Sequence, residues 1–144
     1  MTPNEKLAYR QLDMQSDDPM EIVAKAFLLA AESCDEARAA CERGDIALKG
    51  ALVNRISTAL TLLKADVDHE RGGEVAASMD RTYAVLLGRL VTAHATSDVK
   101  IFEEVAGHLR SLGSAWDEAA RTHRSTTAVR SAPAEGRASL DVRR

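Results

Sequence analysis

Two pairs of residues stand at spacings that chemistry uses. Glu104 and His108 lie four positions apart, which on a helix sets a carboxylate and an imidazole on one face, the arrangement of a shared metal. A di-metal bundle site requires more: inward glutamates and Glu-x-x-His pairs from facing helices. The chain has no Glu-x-x-His and no second pair like Glu104–His108, so this pair is read as an exposed helix-face contact. Cys34 and Cys41 are seven positions apart. Two helical turns separate their Cα atoms by about 10 Å, beyond disulfide reach. Without a Cys-x-x-Cys motif they read as buried thiols that pack as small apolar groups. His69 and His94 fall near helix ends, where an imidazole meets terminal carbonyls or solvent. Gly72-Gly73 precedes a helix but has neither a preceding strand nor a Lys-Ser/Thr, so it reads as a tight connector rather than a phosphate cradle. No nucleophile, base and orienting group come together. The sequence predicts no catalytic residue, no metal, no cofactor and no enzyme.

The elements that would carry any site are helices. At 144 residues the chain fits one domain, and 45% apolar residues supply a core. Aromatic residues make up 3%, which argues against a β-sandwich or barrel. The three prolines are Pro3, Pro19 and Pro133, so no helix breaker of that kind falls between Met20 and Ala132.

Asp17-Asp18-Pro19-Met20-Glu21 is a helix start: Asp accepts free backbone N–H groups, Pro suits the first helical position, and Glu meets the positive end of the dipole. The first helix is predicted to reach Arg43 and stop at Gly44. Its seam is Met20, Val23, Phe27, Ala30, Cys34, Ala37 and Cys41. Asp45 caps a second helix to about Asp66, with Val53, Ile56, Leu60, Leu63 and Val67 as its seam. Leu48, Leu52 and Ala59 form an adjacent apolar stripe. After the connector Asp68–Gly73, a third helix to about His94 carries Ala76, Met79, Tyr83, Leu86, Leu90 and Ala93. Ser97 and Asp98 open a fourth, with Ile101, Val105, Leu109, Leu112 and Trp116, ending near Arg121.

The expected fold is all-α, an antiparallel up-down four-helix bundle. It divides into an N-terminal cap segment (1–18), the bundle (19–121) and a disordered basic tail (122–144) without periodicity.

Charge narrows the partners. The formal net charge of −3 conceals six arginines from Arg121 onward against Glu135 and Asp141, a tail of +4. The remaining thirteen basic and twenty acidic residues leave a body of −7, a poor phosphate binder, so no nucleic-acid role is expected. There is no basic-then-apolar leader, and the longest apolar runs, such as Ala26–Ala31, are too short to span a bilayer. A cytoplasmic location without membrane insertion is expected. What the chain has in surplus is apolar surface. The second helix carries two stripes, and the third adds Leu87 and Val91 beside its seam, an excess that is either further core or a groove for a partner helix. Gly50, Gly88, Gly107 and Gly113 inside predicted helices allow close helix approach or local softness.

These residues resemble a known family over about Asn4 to Ala119. Asp66-Val67-Asp68-His69-Glu70-Arg71-Gly72-Gly73-Glu74-Val75-Ala76 is similar to the Leu-Asp-x-Glu-x-Gly-Gly-Glu-Ile-Ala signature of the flagellar secretion chaperones, the FliS family. Tyr83 with Leu86, Leu87, Gly88, Arg89 and Leu90 resembles that family's Tyr-x-x-x-Leu-x-Arg-Leu helix. Asp98 through Val105, then Leu112-x-x-x-Trp116-x-Glu118-Ala119, resemble its last helix, and Ala8-Tyr9 and Pro19-x-Glu21 its start. The chain departs from the family in having Asn4-Glu5-Lys6 for Asn-Pro-Tyr and Ala26-Phe27-Leu28-Leu29 for Leu-Tyr-Asp/Asn-Gly.

The resemblance implies a cytoplasmic chaperone that binds the C-terminal, polymerisation-prone segment of flagellin and assists its delivery to the flagellar export gate, with no cofactor. It also implies that the N-terminal segment lies over the cargo surface, a role carried to Tyr9, with Leu7 and Leu12 beside it. A Tyr docked by its apolar body is the purely structural alternative. Val53, Leu60, Leu87 and Val91 are the groove candidates from the surplus stripes. A regulatory adaptor that keeps the fold but binds another flagellar or regulatory protein is the second function class.

Overall fold

The computed structural model describes the backbone of residues 18–143 and the side chains of residues 18–126. The first helix, α1 (Pro19–Arg43), begins where its local chemistry directs: Asp18 accepts from the Met20 N–H at 2.9 Å, with Pro19 at the first position. It ends at Gly44, whose φ of 74° is the left-handed conformation that lets its N–H reach back to Ala40 and Cys41 carbonyls. Asp45 then caps α2 (Ile46–Ala65) by accepting from the Leu48 N–H at 3.1 Å. Asp98 accepts from Lys100 and Ile101 at the start of α4 (Val99–Arg143).

The third helix, α3 (His69–Thr96), starts earlier than its periodicity predicts. Asp68 accepts from the Arg71 N–H at 3.2 Å and caps a first turn over His69–Gly72, so the expected connector is itself helical. Gly73, at φ 51° and ψ −122°, breaks that turn from the rest of the helix, a conformation open to glycine and scarcely to other residues.

Around the bundle each helix shares interfaces with two neighbours, α1 with α2 and α4, and α3 with α2 and α4. Lys64 near the end of α2 meets Asp80 early in α3, while Lys49 near the start of α2 reaches His94 late in α3, so the two run antiparallel. The α1–α4 pair does the same: Glu21 with Arg124, Asp35 with Arg110. The architecture is the expected up-down four-helix bundle, and the described residues contain no strand.

Phe27, Cys34, Ile56, Leu60, Leu86, Leu90, Phe102, Val105 and Leu109 are the large, fully buried side chains, and the Phe27 and Tyr83 rings stack at 5.9 Å. Each buried residue of this size contributes roughly 1.5–3 kcal/mol. Phe102 and Ala106 also belong to the core, although the predicted seam of the fourth helix passes them by. By contrast Leu112 and Trp116 are only partly buried against it.

The backbone of α4 continues past Arg121, where its apolar pattern predicts an end. Ala120 is the last buried residue among the described side chains; 121–126 are all exposed, with Arg124 still paired to Glu21 of α1. α2 is long and apolar enough to cross a membrane by length and composition, beyond what its runs of apolar residues imply; in this structure its one face, Leu52, Val53, Ile56 and Leu60, is buried in the bundle core.

Candidate functional site

The four groove candidates within the described residues fall along one line, the seam between α2 and α3. On α2, positions 50, 53, 57, 60 and 64 repeat at three and four residues, and Gly50 and Lys64 at its ends both face α3. On α3, positions 80, 87, 91 and 94 repeat at seven, four and three, and Asp80 and His94 both face α2. By this periodicity Val53 and Leu60 lie on the side of α2 toward α3, and Leu87 and Val91 on the side of α3 toward α2. Their burial separates them. Val53 and Leu60 lie in the core, facing inward from the α2 seam. Leu87 is half-buried against the core, and Val91 is 64% exposed. Of these four candidates, the open apolar surface is that of Leu87 and Val91 on α3. Leu7, Tyr9 and Leu12, with the rest of the predicted cap segment before Asp18, lie outside the described residues.

More apolar surface is open than the stripes predict. Leu28 and Leu29 on α1, Ile46, Leu48 and Leu62 on α2, and Val75 and Val85 on α3 are all exposed. The signal for Leu28 and Leu29 is the run Ala26–Ala31, since six consecutive apolar residues exceed the face one helix can bury. Scattered apolar residues are ordinary on a surface, but this many large ones on three helices of a small bundle favour a partner.

Several surface charges are paired, and two buried groups are shifted by their burial. Glu104 is exposed and pairs with Arg89 of α3, so it is not a ligand partner of His108. Arg110 pairs with Asp35 across the α1–α4 interface. Such exposed pairs contribute about 0–1 kcal/mol each. Burial pushes the Cys34 thiol up to about 12, with Arg110 acting weakly the other way, and Tyr83 rises to about 12 through burial and then through Asp66. Both cysteines are free; Cys34 is buried, and Cys41 donates to the Ser97 carbonyl at 3.4 Å. Among the described residues no group of three or more His, Cys, Asp or Glu stands together to hold a metal.

One buried charge was not legible in the apolar pattern. Lys49, 4% exposed, donates to the His94 carbonyl at 3.1 Å and to the Ser97 hydroxyl at 2.7 Å. It sits inside the α2 seam spacing, where a lysine reads as a polar interruption. The His94 ring lies against Gly50, and its Nδ1 is buried without a hydrogen-bond partner. The internal glycines divide clearly. A Cβ at Gly113 would stand 2.8 Å from Leu28 and 3.2 Å from the Ala24 carbonyl, so this glycine permits a close α1–α4 approach. Gly88 and Gly107 face open space.

The bundle pairs surface charges, closes an apolar core and leaves apolar side chains open on three helices. The chain belongs to the FliS family: the family described as "Flagellar protein FliS" matches residues 2–123. It is 33% identical over 116 residues to the Flagellar secretion chaperone FliS of Salmonella typhimurium, covering 77% of this chain and 86% of that one. It is 31% identical over 113 residues to the Flagellar secretion chaperone FliSB of Pseudomonas aeruginosa, covering 76% and 90%. The Vibrio cholerae Flagellar secretion chaperone FliS is 25% identical over 126 residues, covering 85% and 93%. These relatives are named as chaperones, and the family is not one of enzymes.

Proposed function

We propose that this protein is a cytoplasmic export chaperone that binds the C-terminal helical segment of flagellin, keeps it from polymerising early and assists its delivery to the flagellar export apparatus. The observation that carries this reading is the apolar opening on α3, with Leu87 half-buried and Val91 64% exposed, on a bundle of the flagellar secretion chaperone family. Amphipathic end helices that must stay unpaired until export need a substitute apolar face, and an open strip beside a closed core offers one. The cargo segment orders as it docks, so part of the gross contact energy is lost to conformational entropy. Tyr9, with Leu7 and Leu12, is proposed to compete for this surface from the N-terminal segment.

The test is calorimetric titration with flagellin of the same organism, intact and lacking its C-terminal segment. Stoichiometric binding that disappears with the truncation supports the reading, and a Val91→Asp variant should weaken it. Absence of binding to every flagellin of that genome refutes it.

The chain beyond residue 123 lies outside the family match and includes Arg124, Arg130, Arg137, Arg143 and Arg144. This favours a second reading, an adaptor that keeps the fold and binds another flagellar or regulatory protein through additional charged contacts. A pull-down with the full chain and with a chain ending at residue 124 discriminates the two.

A further inference from the structure

Lys49 is buried to a degree that charged side chains rarely reach without partners, and among the described residues Ser33 is the one other buried polar side chain. An ammonium removed from water must donate its hydrogens. It does so to two acceptors of the last turn of α3 and its cap, the His94 carbonyl and the Ser97 hydroxyl. A helix C-terminus leaves carbonyls without intrahelical donors and carries partial negative charge, so a cation there is doubly favoured.

Ser97 adds a second observation. Its φ of 51° makes it the one non-glycine at positive φ among the described residues, in a cap position that glycine ordinarily fills. The hydroxyl contact with Lys49 explains why a serine is held there. Cys41 of α1 donates to the carbonyl of the same residue, so three helices converge on one turn.

The other polar tie between α2 and α3, Lys64 with Asp80, is more than a third exposed on the lysine side and about as open on the aspartate side; solvent screens it. The interface is pinned firmly at one end only. Val91 lies one turn from His94 and Leu87 two turns, on the line that faces α2.

We infer that Lys49 is a positioning residue: its bonds to His94 and Ser97 fix the C-terminal half of α3 against α2, and with it the Leu87–Val91 face. The inference rests on the chaperone reading for its affinity readout and is independent of it for its structural one. Lys49→Met removes the donor and leaves the His94 carbonyl and the Ser97 hydroxyl without it, so some loss of stability accompanies any loss of positioning, and exchange and affinity are read beside the melt.

The experiment compares the full-length wild type with Lys49→Met and Ser97→Ala. It measures thermal unfolding, amide hydrogen exchange at residues 93–98, and affinity for flagellin by calorimetry. Lys49→Met is expected to melt cooperatively, to exchange its Ser97 and Asp98 amides about tenfold faster, and to bind flagellin about tenfold more weakly. Ser97→Ala keeps the Cβ at the left-handed turn and removes only the hydroxyl acceptor, so it should shift exchange in the same direction by less; it carries the test if Lys49→Met does not fold. Unchanged exchange in either folded variant overturns the inference. Faster exchange with undiminished affinity overturns the link from turn to face. If the wild type binds no flagellin while exchange still accelerates, the positioning role stands and the chaperone reading falls.

Discussion

The same substitution made at different glycines isolates packing from propensity. Gly→Ala inside a helix gains about 1 kcal/mol from reduced backbone entropy in the unfolded chain and better helix propensity. At Gly88 and Gly107 nothing lies within 4 Å of the new methyl, so both variants should be stabilised by close to that amount. At Gly50 the nearest atom is His94 Cε1 at 3.6 Å, an ordinary contact, and the sign is unchanged. Gly113 differs. The methyl would stand 2.8 Å from Leu28 Cγ and Cδ2 and 3.2 Å from the Ala24 carbonyl oxygen. Leu28, 38% exposed, can turn outward, but the Ala24 carbonyl belongs to the α1 backbone and yields only if the helices part. Overpacking of this kind costs about 1–3 kcal/mol. Taking the middle of that range against the propensity gain leaves Gly113→Ala about 1 kcal/mol below wild type and about 2 below Gly88→Ala. Urea unfolding followed by far-UV circular dichroism measures the series, and equal slopes with denaturant would license comparison of midpoints. Stabilisation of Gly113→Ala to the level of Gly88→Ala would refute the claim that α1 and α4 are spaced by this glycine.

Gly73→Ala should destabilise by about 1–3 kcal/mol in the same assay, because φ 51° with ψ −122° strains any side chain although space is free around it. Stability should fall as pH rises above 9. Cys34 and Tyr83 have native values near 12 against ordinary values of 9.0 and 10.0, so the unfolded chain releases those protons first. The loss runs from those ordinary values up to about 12, at about 1.4 kcal/mol per pH unit for each group within its own window; a Cys34→Ala variant should show a shallower alkaline limb. A thiol reagent should label native protein at the half-buried Cys41 and reach Cys34 only on unfolding, and equal labelling rates would contradict the packing. Deleting residues 125–144 should leave the melting temperature within about 3 °C, since described packing ends at Ala120; a larger loss would place stabilising contacts in the tail.

Much of this architecture is local chemistry, and local chemistry is written in the order of residues. Asp18 before Pro19, Gly44 before Asp45, and seams at three and four residues fix where helices start, stop and turn inward, because backbone donors, left-handed φ and a period of 3.6 are properties of short segments. The motif around Gly72-Gly73 likewise pointed to the family without any structure.

Tertiary packing decided the rest. Val53 and Leu60 look the same as Leu87 and Val91 in a stripe, yet the first two are buried and Val91 is open, because exposure depends on where the neighbouring helix lies and not on apolarity. The helical turn at His69–Gly72 is hidden in the sequence by two glycines that read as a connector; Asp68 caps it, and the Gly73 torsion sets it off from the rest of α3. Lys49 interrupts an apolar pattern in the sequence, and only the meeting of α2 with the end of α3 supplies the carbonyl and hydroxyl that let an ammonium lie inside a core.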